Sequence, residues 1–297
     1  MKIGFVGIGV MGSRMVKRLL DHGYQVNVYN RTKEKVKALV EHGAGQEESI
    51  SSLAQNSDVI CTCLSMPGDV LEVYQGNGGI LENARPGTIC IDFTSVGADT
   101  SKTIHARAIE KGMSYLDCPV SGGPEGAESG SLTIMAGGER AAIEKVFPIL
   151  GVVGGTIEHL GQSGAGSIAK LMNQYLVAVH SLAVSEVMVT GSKFGLAPEQ
   201  LYKILSASYG DSRILRRHMK EYVFDRQFEP GGAVKYVHKD VRLANQLLQE
   251  AGLREFTGQL AEDAYRLSTE QGLGDLDMSA VILPLEEQCG VVVKKNS

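Results

Sequence analysis

Long apolar runs are missing from this sequence, which excludes the usual membrane classes. No stretch reaches the ~20 uninterrupted apolar residues that a bilayer requires, so we expect neither a spanning helix nor a membrane partner. Glycines interrupt the apolar N-terminal run at once, which argues against a secretory signal peptide. We therefore expect a cytoplasmic protein.

Positive charge and patterned cysteines are also scarce. Lys and Arg number 29 against 34 Asp and Glu, and no Lys/Arg block occurs, so no nucleic-acid partner is predicted. The cysteines number five, an odd count, and their spacing fits no zinc template, so no metal site is predicted. Cys61 and Cys63 lie two apart in a β-like run and are interpreted as core packing.

What is present is typical of a globular protein of two domains. The chain has 297 residues, of which 43 % are hydrophobic and 21 % charged. An apolar run at 2–7, a helical pattern at 13–22 and an alternating run at 25–29 predict one βαβ unit. Further strands are predicted at 58–64, 88–93, 114–117 and 131–136. Strands that alternate with helices predict an α/β domain with a mostly parallel sheet over residues 1–162.

The pattern changes near residue 162. From Gly164 to about Lys193 there is no proline, and apolar residues recur at helical spacing, which predicts one long helix between the domains. Further helices are predicted at 198–207, 212–223, 238–251, 255–271 and 277–290. Residues 163–297 are therefore expected to form an all-α domain, and so apolar a long helix predicts a partner chain.

The most specific local motif is a glycine-rich turn after the first strand. It matches G-x-G-x-x-G with the residues Gly7, Ile8, Gly9, Val10, Met11 and Gly12. The first glycine permits the tight turn, the second lets a pyrophosphate approach the backbone, and the third lets helix and strand pack closely. The strand, turn and helix context predicts dinucleotide binding, with a purely structural turn as the alternative.

The end of the second predicted strand bears on the choice of cofactor. An acidic residue there would bind a ribose 2′-hydroxyl, but this chain has Asn30, Arg31 and Thr32. Arg31 can pair with a 2′-phosphate and Thr32 can donate a hydroxyl to it. NADP(H) is therefore favoured and NAD(H) remains possible; the alternative is a solvent-exposed turn arginine.

Two further motifs suggest a substrate site. The run Asp117 to Gly123 follows a predicted strand, and its serine and glycines suit a carboxylate. On the long helix, Lys170 stands among apolar neighbours, where it can donate a proton to a reacting oxygen. Asn173 and Gln174 follow at i+3 and i+4 and share its face. Taken alone, a plain turn and a surface lysine are the ordinary alternatives.

In combination, these motifs resemble the 3-hydroxyisobutyrate dehydrogenase family over about 290 residues. The resemblance implies a Rossmann-type N-terminal domain, with Lys170 as general acid/base. It implies that Ser121, Gly122 and Gly123 hold the substrate carboxylate and that Asn173 or Gln174 anchors the substrate. Gln174 departs from relatives with asparagine there, so which amide touches substrate stays open.

The resemblance also extends the expected cofactor site. It implies that Ser95 contacts the nicotinamide side, with Thr94 as a possible contributor, because the two hydroxyl residues are exchanged relative to the family. Lys239 matches a family lysine that reaches the cofactor. Leu64 and Pro67 match the loop that runs along the dinucleotide.

The expected activity is hydride transfer between NADP(H) and a small 3-hydroxy acid or aldehyde acid, of the semialdehyde or glyoxylate type. The alternatives are a non-catalytic nucleotide sensor and an imine reductase, and both tend to lack the lysine. Phosphogluconate dehydrogenases are usually longer and need basic residues that bind a sugar phosphate, and no such set of residues is obvious here. The resemblance implies a homodimer or homotetramer. Phe228, Tyr236 and Tyr209 are candidates for substrate selectivity, with ordinary packing as the alternative.

Overall fold

A computed structural model describes residues 1–295 of the chain. Its contacts divide the protein into two compact units, Met1–Lys170 and Leu171–Ser297. The division falls inside the long helix, because that helix packs at its start with the first unit and beyond it with the second. The boundary at 162/163 stays a prediction.

The first unit is built on a twisted α/β sheet whose first six strands are parallel. Their spatial order is 3-2-1-4-5-6, the order of a doubly wound dinucleotide-binding fold. These strands are β1 (Lys2–Val6), β2 (Gln25–Tyr29), β3 (Gly45–Gln46), β4 (Val59–Thr62), β5 (Ile89–Asp92) and β6 (Ser114–Asp117). β4 and β5 are buried along their whole length, as strands covered on both faces must be.

Helices cover both faces of this sheet. They are α1 (Val10–Asp21), α2 (Lys37–Glu41, after a 3₁₀ turn at Lys33–Val36), α3 (Ile50–Gln55), α4 (Pro67–Gln75), α5 (Ile80–Asn83), α6 (Ala98–Glu110), α7 (Gly123–Ser129) and α8 (Arg140–Val153). Neighbouring residues of β1 face opposite cores: Phe5 belongs to the same apolar cluster as Met15 of α1, whereas Val6 belongs to the cluster that contains Tyr74 of α4. The period-2 alternation of the strand therefore builds two apolar layers.

The far edge of the sheet is mixed. β7 (Val120–Ser121) and β6 pair antiparallel with β8 (Leu132–Gly137), and β9 (Gly154–Gly161) pairs parallel with β8. The sequence predicted β8 but missed β3, β7 and β9. β3 and β7 have two residues each, too few for a period, and β9 begins and ends with glycine and is half exposed.

The second unit is helical, as predicted. It contains most of α9 (Ala165–Lys193), followed by α10 (Pro198–Ser206), α11 (Arg213–Arg217), α12 (Val234–Glu250), α13 (Gly258–Ser268) and α14 (Ile282–Cys289). π-helical turns at His218–Val223 and Thr269–Leu273 extend α11 and α13, and a 3₁₀ turn at Met278–Val281 precedes α14. α12 begins four residues earlier than expected, at Val234.

α9 has 29 residues, about 44 Å at 1.5 Å per residue. It is long and apolar enough to cross a membrane by length and composition alone. A core helix of a water-soluble fold meets the same test, and α9 carries Lys170, Ser181 and Ser185 as buried polar groups.

A buried ion pair organises the second unit. Asp277 is fully buried and accepts hydrogen bonds from Arg217 Nη2 at 2.7 Å and from the backbone N–H groups of Gly231 and Gly232. Burial alone would raise its pKa, but the hydrogen bond and charge of Arg217, with the hydrogen bonds from Ser279, hold the pKa of Asp277 below its usual range. Burial lowers the pKa of the adjacent His218 to about 3, so this imidazole is neutral.

Candidate active site

The glycine turn is the first part of the site. Gly7 has φ +100°, and a β-carbon there would lie 2.3 Å from Cys63 O; a β-carbon at Gly12 would lie 2.1 Å from Gly7 O. The fold itself therefore requires both glycines. Gly9 is different, because it is exposed and a β-carbon there would meet nothing within 4 Å. Its side of the turn is open to a ligand.

The strand next to the turn holds it in shape. Ile8 N donates to Asn30 Oδ1 at 2.9 Å, and Asn30 Nδ2 donates to Thr32 O at 2.9 Å. Gly7 N donates to Tyr29 O. The Asn30 amide is thus engaged by the protein itself, so its contribution to a dinucleotide site is to shape the turn.

Arg31 follows directly after Asn30, the residue that bonds to this turn. Arg31 and Thr32 are both exposed. Within residues 1–295 no hydrogen bond or ion pair engages Arg31, whereas the nearby Lys33 is paired with Glu48. Arg31 is therefore the cation at the end of β2 that can bind an anion without giving up a protein partner.

A buried carboxylate organises the crest between β4 and β5. Asp92 is fully buried and accepts from Thr62 Oγ1 at 2.8 Å, from Thr94 N at 3.0 Å and from Tyr115 OH at 3.0 Å. Burial raises the pKa of Asp92, and these hydrogen bonds oppose that rise. The network fixes the backbone that follows β5.

The same network separates the roles of the two hydroxyl residues after β5. Thr94 is 3 % exposed and its Oγ1 accepts from Leu64 N at 2.9 Å, so Thr94 fixes the loop after β4. Ser95 is only half buried, which leaves it as the hydroxyl nearer the surface. Pro67, the other loop residue expected at the site, opens α4.

Asp117 joins the carboxylate motif to the lysine helix. Its two carboxylate oxygens accept from Gly164 N and Ser167 N, both at 2.8 Å, so this strand-end residue caps α9 from 47 and 50 residues away. The approach is close: a β-carbon at Gly166 would lie 2.4 Å from Asp117 O. Burial raises the pKa of Asp117, against the hydrogen bonds from these two backbone groups.

The predicted substrate motif follows Asp117 directly. Ser121 ends β7 opposite Thr133 and is half buried. Gly122 and Gly123 have φ values of +135° and +66°, a region that L side chains rarely adopt. The chain therefore turns sharply after Ser121, and Gly122 is exposed.

Lys170 stands in the second turn of the helix that Asp117 caps. It is 8 % exposed, which is rare for a lysine, and the adjacent Leu171 is 0 % exposed. The cap on residues 164 and 167 thus fixes the position of a lysine that the fold has withdrawn from bulk water.

In the second unit, the remaining predicted residues form one polar chain. Asn173 Nδ2 donates to Gln174 Oε1 at 3.0 Å, and Gln174 Nε2 donates to Asp240 Oδ2 at 2.7 Å. Lys239 Nζ lies 3.0 Å from Asp240 Oδ1. Lys239 and Asp240 are 6 % and 4 % exposed, so Lys239 is far from the solvated lysine that composition alone would suggest.

The three proposed selectivity residues differ in exposure. Tyr209 is wholly exposed and Tyr236 is 37 % exposed, whereas Phe228 packs in the helical core beneath Arg226. Their assignment stays a prediction. Sequence reasoning gave no role to Asp92, Asp117 or Asp240, although an acidic residue within or just after an apolar strand was a usable signal for the first two.

Metal chemistry has no evident site. Within residues 1–295, no group of three or more His, Cys, Asp or Glu side chains could hold a metal ion.

Comparisons with known proteins agree with this fold. A family model described as the NAD binding domain of 6-phosphogluconate dehydrogenase matches residues 2–161. A second, described as NAD-binding of NADP-dependent 3-hydroxyisobutyrate dehydrogenase, matches residues 164–285. The two models together match most of both units.

Relatives match over nearly the whole chain. The 2-(hydroxymethyl)glutarate dehydrogenase of Eubacterium barkeri is 37 % identical over 98 % of this chain and 97 % of its own length. The 2-hydroxy-3-oxopropionate reductase of Escherichia coli is 32 % identical over 96 % of this chain and 97 % of its own length. A structure of Mycobacterium tuberculosis 3-hydroxyisobutyrate dehydrogenase with L-serine has a TM-score of 0.87 at 30 % identity. The match covers 96 % of this chain and 98 % of that structure's chain.

An imine reductase from Bacillus cereus shares only the fold, with a TM-score of 0.63 at 18 % identity. Fold, glycine turn and relatives together define an NAD(P)-dependent oxidoreductase of hydroxy acids and semialdehydes. Within that class, the chain belongs to the 3-hydroxyisobutyrate dehydrogenase family.

The helix cap generates a prediction. Asp117→Ala should lower the free energy of unfolding by about 2–3 kcal/mol, because two buried N–H groups lose their acceptor. It should also lower turnover about ten-fold or more, since α9 no longer holds Lys170 in place. Denaturant unfolding and steady-state kinetics measure the two effects.

The matched control is Ser49→Ala, which removes the cap of α3 in the same unit and should cost about 1 kcal/mol with unchanged turnover. Equal effects of the two substitutions on turnover would contradict a special role for the Asp117 cap.

Proposed function

We propose that this enzyme reduces small aldehyde acids, of the semialdehyde or glyoxylate type, with NADPH, and that Lys170 exchanges the proton. The observation that carries the proposal is the withdrawal of Lys170 from water on a helix capped by Asp117, the residue that begins the predicted carboxylate motif. Relatives named as acting on hydroxy acids and oxo acids support this substrate class.

The chemistry follows from the residues. When bound, the nicotinamide supplies the hydride for reduction and accepts it in oxidation. Ser121 and the N–H groups of Gly122 and Gly123 hold the substrate carboxylate, which orients the carbonyl. As negative charge develops on the carbonyl oxygen, the Lys170 ammonium stabilises it and donates a proton to give the alcohol. In oxidation, neutral Lys170 takes the hydroxyl proton.

The cofactor preference rests on the end of β2. No carboxylate stands at residues 30–32, so nothing at these positions repels a 2′-phosphate, and Arg31 is exposed. Leu64, Pro67, Ser95 and Lys239 complete the proposed cofactor contacts. The match to a model described as NADP-dependent supports the same preference.

The five cysteines are free thiols, which supports a reducing compartment such as the cytoplasm as the proposed location.

The first test of the proposal is a substrate panel. Wild-type protein should oxidise NADPH with short aldehyde acids, such as succinic semialdehyde, tartronate semialdehyde or glyoxylate, and not with cyclic imines. Lys170→Ala should lower kcat about 10²–10⁴-fold, because the proton donor is lost, while NADPH affinity stays within about two-fold. NADPH absorbance and NADPH fluorescence measure the two quantities.

Lys145→Ala, at an exposed position of α8, is the control and should turn over normally. Near-normal kcat in Lys170→Ala would remove Lys170 from the mechanism. Turnover of imines alone would replace the proposed substrate class.

The second test concerns the phosphate. Arg31→Ala should raise KM for NADPH about ten-fold and leave KM for NADH unchanged, because only NADPH carries the group that Arg31 binds. Lys37→Ala, which removes an exposed cation from the nearby α2, should change neither constant. An equal effect of Arg31→Ala on both cofactors would contradict the assignment.

The third test concerns assembly. One face of α9 carries an exposed apolar stripe, which consists of Met172, Leu176, Ala183 and Val187, with Phe194 just beyond the helix. Residues of this stripe share a face because positions 172 and 183, and positions 176 and 187, are eleven residues apart, which is about three helical turns. We propose that a second copy of the chain covers this stripe in a homodimer or homotetramer. Exposed apolar surface of this kind is typical of an interface.

Leu176→Glu should therefore shift the sedimenting mass toward the 31.8 kDa of one chain, because a buried unpaired carboxylate weakens the interface. Leu260→Glu, at an exposed site of α13 outside the stripe, is the control and should leave the mass unchanged. A wild-type protein of 31.8 kDa would end this proposal.

A further inference from the structure

Three buried serines join the start of α6 to the start of α9. Ser101 Oγ and Ser167 Oγ lie 2.9 Å apart, and Ser163 Oγ donates to Ser101 O at 3.4 Å. Ser101 and Ser167 are fully buried, although they are 66 residues apart in the sequence. We call this hydroxyl pair the serine bridge. It holds the two helix starts at a fixed separation, because a buried hydroxyl that loses its partner is costly.

The two helix starts also approach each other closely at this point. A β-carbon at Gly164 would lie 3.3 Å from Ala98 O and 3.2 Å from Lys102 Cε. Ala98 and Lys102 belong to the first two turns of α6, and Gly164 directly precedes α9. The beginning of α6 therefore packs against the segment that leads into α9, and the serine bridge is part of this contact.

The carboxylate of Asp117 determines the direction of the serine bridge. Burial raises the pKa of Asp117, and the hydrogen bonds that oppose this rise include one from the Ser167 side chain as well as one from Ser167 N. A serine hydroxyl has a single proton, so Ser167 Oγ accepts the proton of Ser101 Oγ. The donors thus run from α6 through Ser167 to the carboxylate that ends β6.

Each end of the serine bridge lies close to a residue of the proposed reaction. Ser167 is one turn before Lys170 on α9, so the two residues share a face of the helix. Ser101 lies in the first turn of α6, shortly after Ser95, the proposed nicotinamide contact. Residues 96–98 between them are buried, so this connection is packed in the unit.

We infer that Ser101 and Ser167 are positioning residues that set the distance between the nicotinamide and the amine of Lys170. This inference rests on the proposed function. In reduction, the hydride adds to the carbonyl carbon, the electron pair of the C=O bond moves to oxygen, and the proton of Lys170 goes to that oxygen. Both donors serve one carbonyl group, so their separation must be held fixed.

The substitution Ser101→Ala tests the inference, because it removes the serine bridge and leaves both backbone hydrogen bonds to Asp117 intact. It should lower kcat about ten-fold, since the two donors are no longer held in register. The Kd for NADPH, measured by fluorescence, should stay within about two-fold of wild type. The primary isotope effect, measured with NADPH deuterated at the transferred position, should be at least as large as in wild type, because hydride transfer is the slowed step.

Ser57→Ala is the matched control. Ser57 is 1 % exposed, and its Oγ donates to Leu53 O at 2.6 Å in the same unit. Ser57→Ala and Ser101→Ala each remove one buried hydroxyl and should lower the midpoint of urea unfolding alike. Only Ser101→Ala should lower kcat, which distinguishes positioning from a general loss of stability.

A double-mutant cycle supplies the second measurement. Ser167→Ala removes the other half of the serine bridge and one donor to Asp117, so it should lower kcat at least as much as Ser101→Ala. In protein that already carries Ser167→Ala, the further change Ser101→Ala should lower kcat by less than about two-fold, because the bridge is already broken.

A kcat of Ser101→Ala equal to that of Ser57→Ala would overturn the inference. Independent effects of the two bridge substitutions, which multiply in the double variant, would overturn it as well, and so would an isotope effect smaller than that of wild type. A wild-type protein that oxidises no NADPH with any aldehyde acid would instead reject the proposed function, and with it this inference.

Discussion

The structure depends first on the capping of α9 by Asp117. The two 2.8 Å hydrogen bonds to Gly164 N and Ser167 N attach the end of a sheet strand to the start of a 29-residue helix. The predicted carboxylate motif continues from that strand, and Lys170 follows one turn into the helix. One buried carboxylate therefore fixes the spacing between the proposed anchor of the substrate and the proposed source of its proton.

Buried carboxylates recur as organisers of the backbone. Asp92 holds the crest of the sheet, Asp117 holds the helix, and Asp277 holds the glycine loop of the second unit. Their electrostatics differ with their partners. Asp92 and Asp117 are held by neutral donors and have raised pKa values because burial dominates, whereas Arg217 lowers the pKa of Asp277. In each case donors of the protein, rather than water molecules, satisfy the buried carboxylate, and this fixes the conformation of the backbone that it contacts.

Much of the fold could be predicted because it follows from local periodicity. The alternation in β2, the glycine turn and the proline-free pattern of α9 are each contained in a short window of sequence. The edge strands β7 and β9 could not be predicted, because their identity depends on pairing with β8 rather than on their own pattern. The same holds for the site: Gly9 and Arg31 stand out locally, whereas Thr94 and Asn30 acquire their roles only from the backbone groups that they bind.

Local sequence was sufficient to predict the N-terminal βαβ unit and the long helix. It also showed which residue types could bind a cofactor phosphate, bind a substrate carboxylate or transfer a proton. Tertiary packing was needed to select which of those residues are withdrawn from water and which partners they take. Asp117 accepts hydrogen bonds from residues that are 47 and 50 positions away in the sequence, and Gln174 donates one to Asp240, which is 66 positions away. The physical reason is that such contacts are made by the packing of whole elements, and packing distances do not follow from separation along the chain.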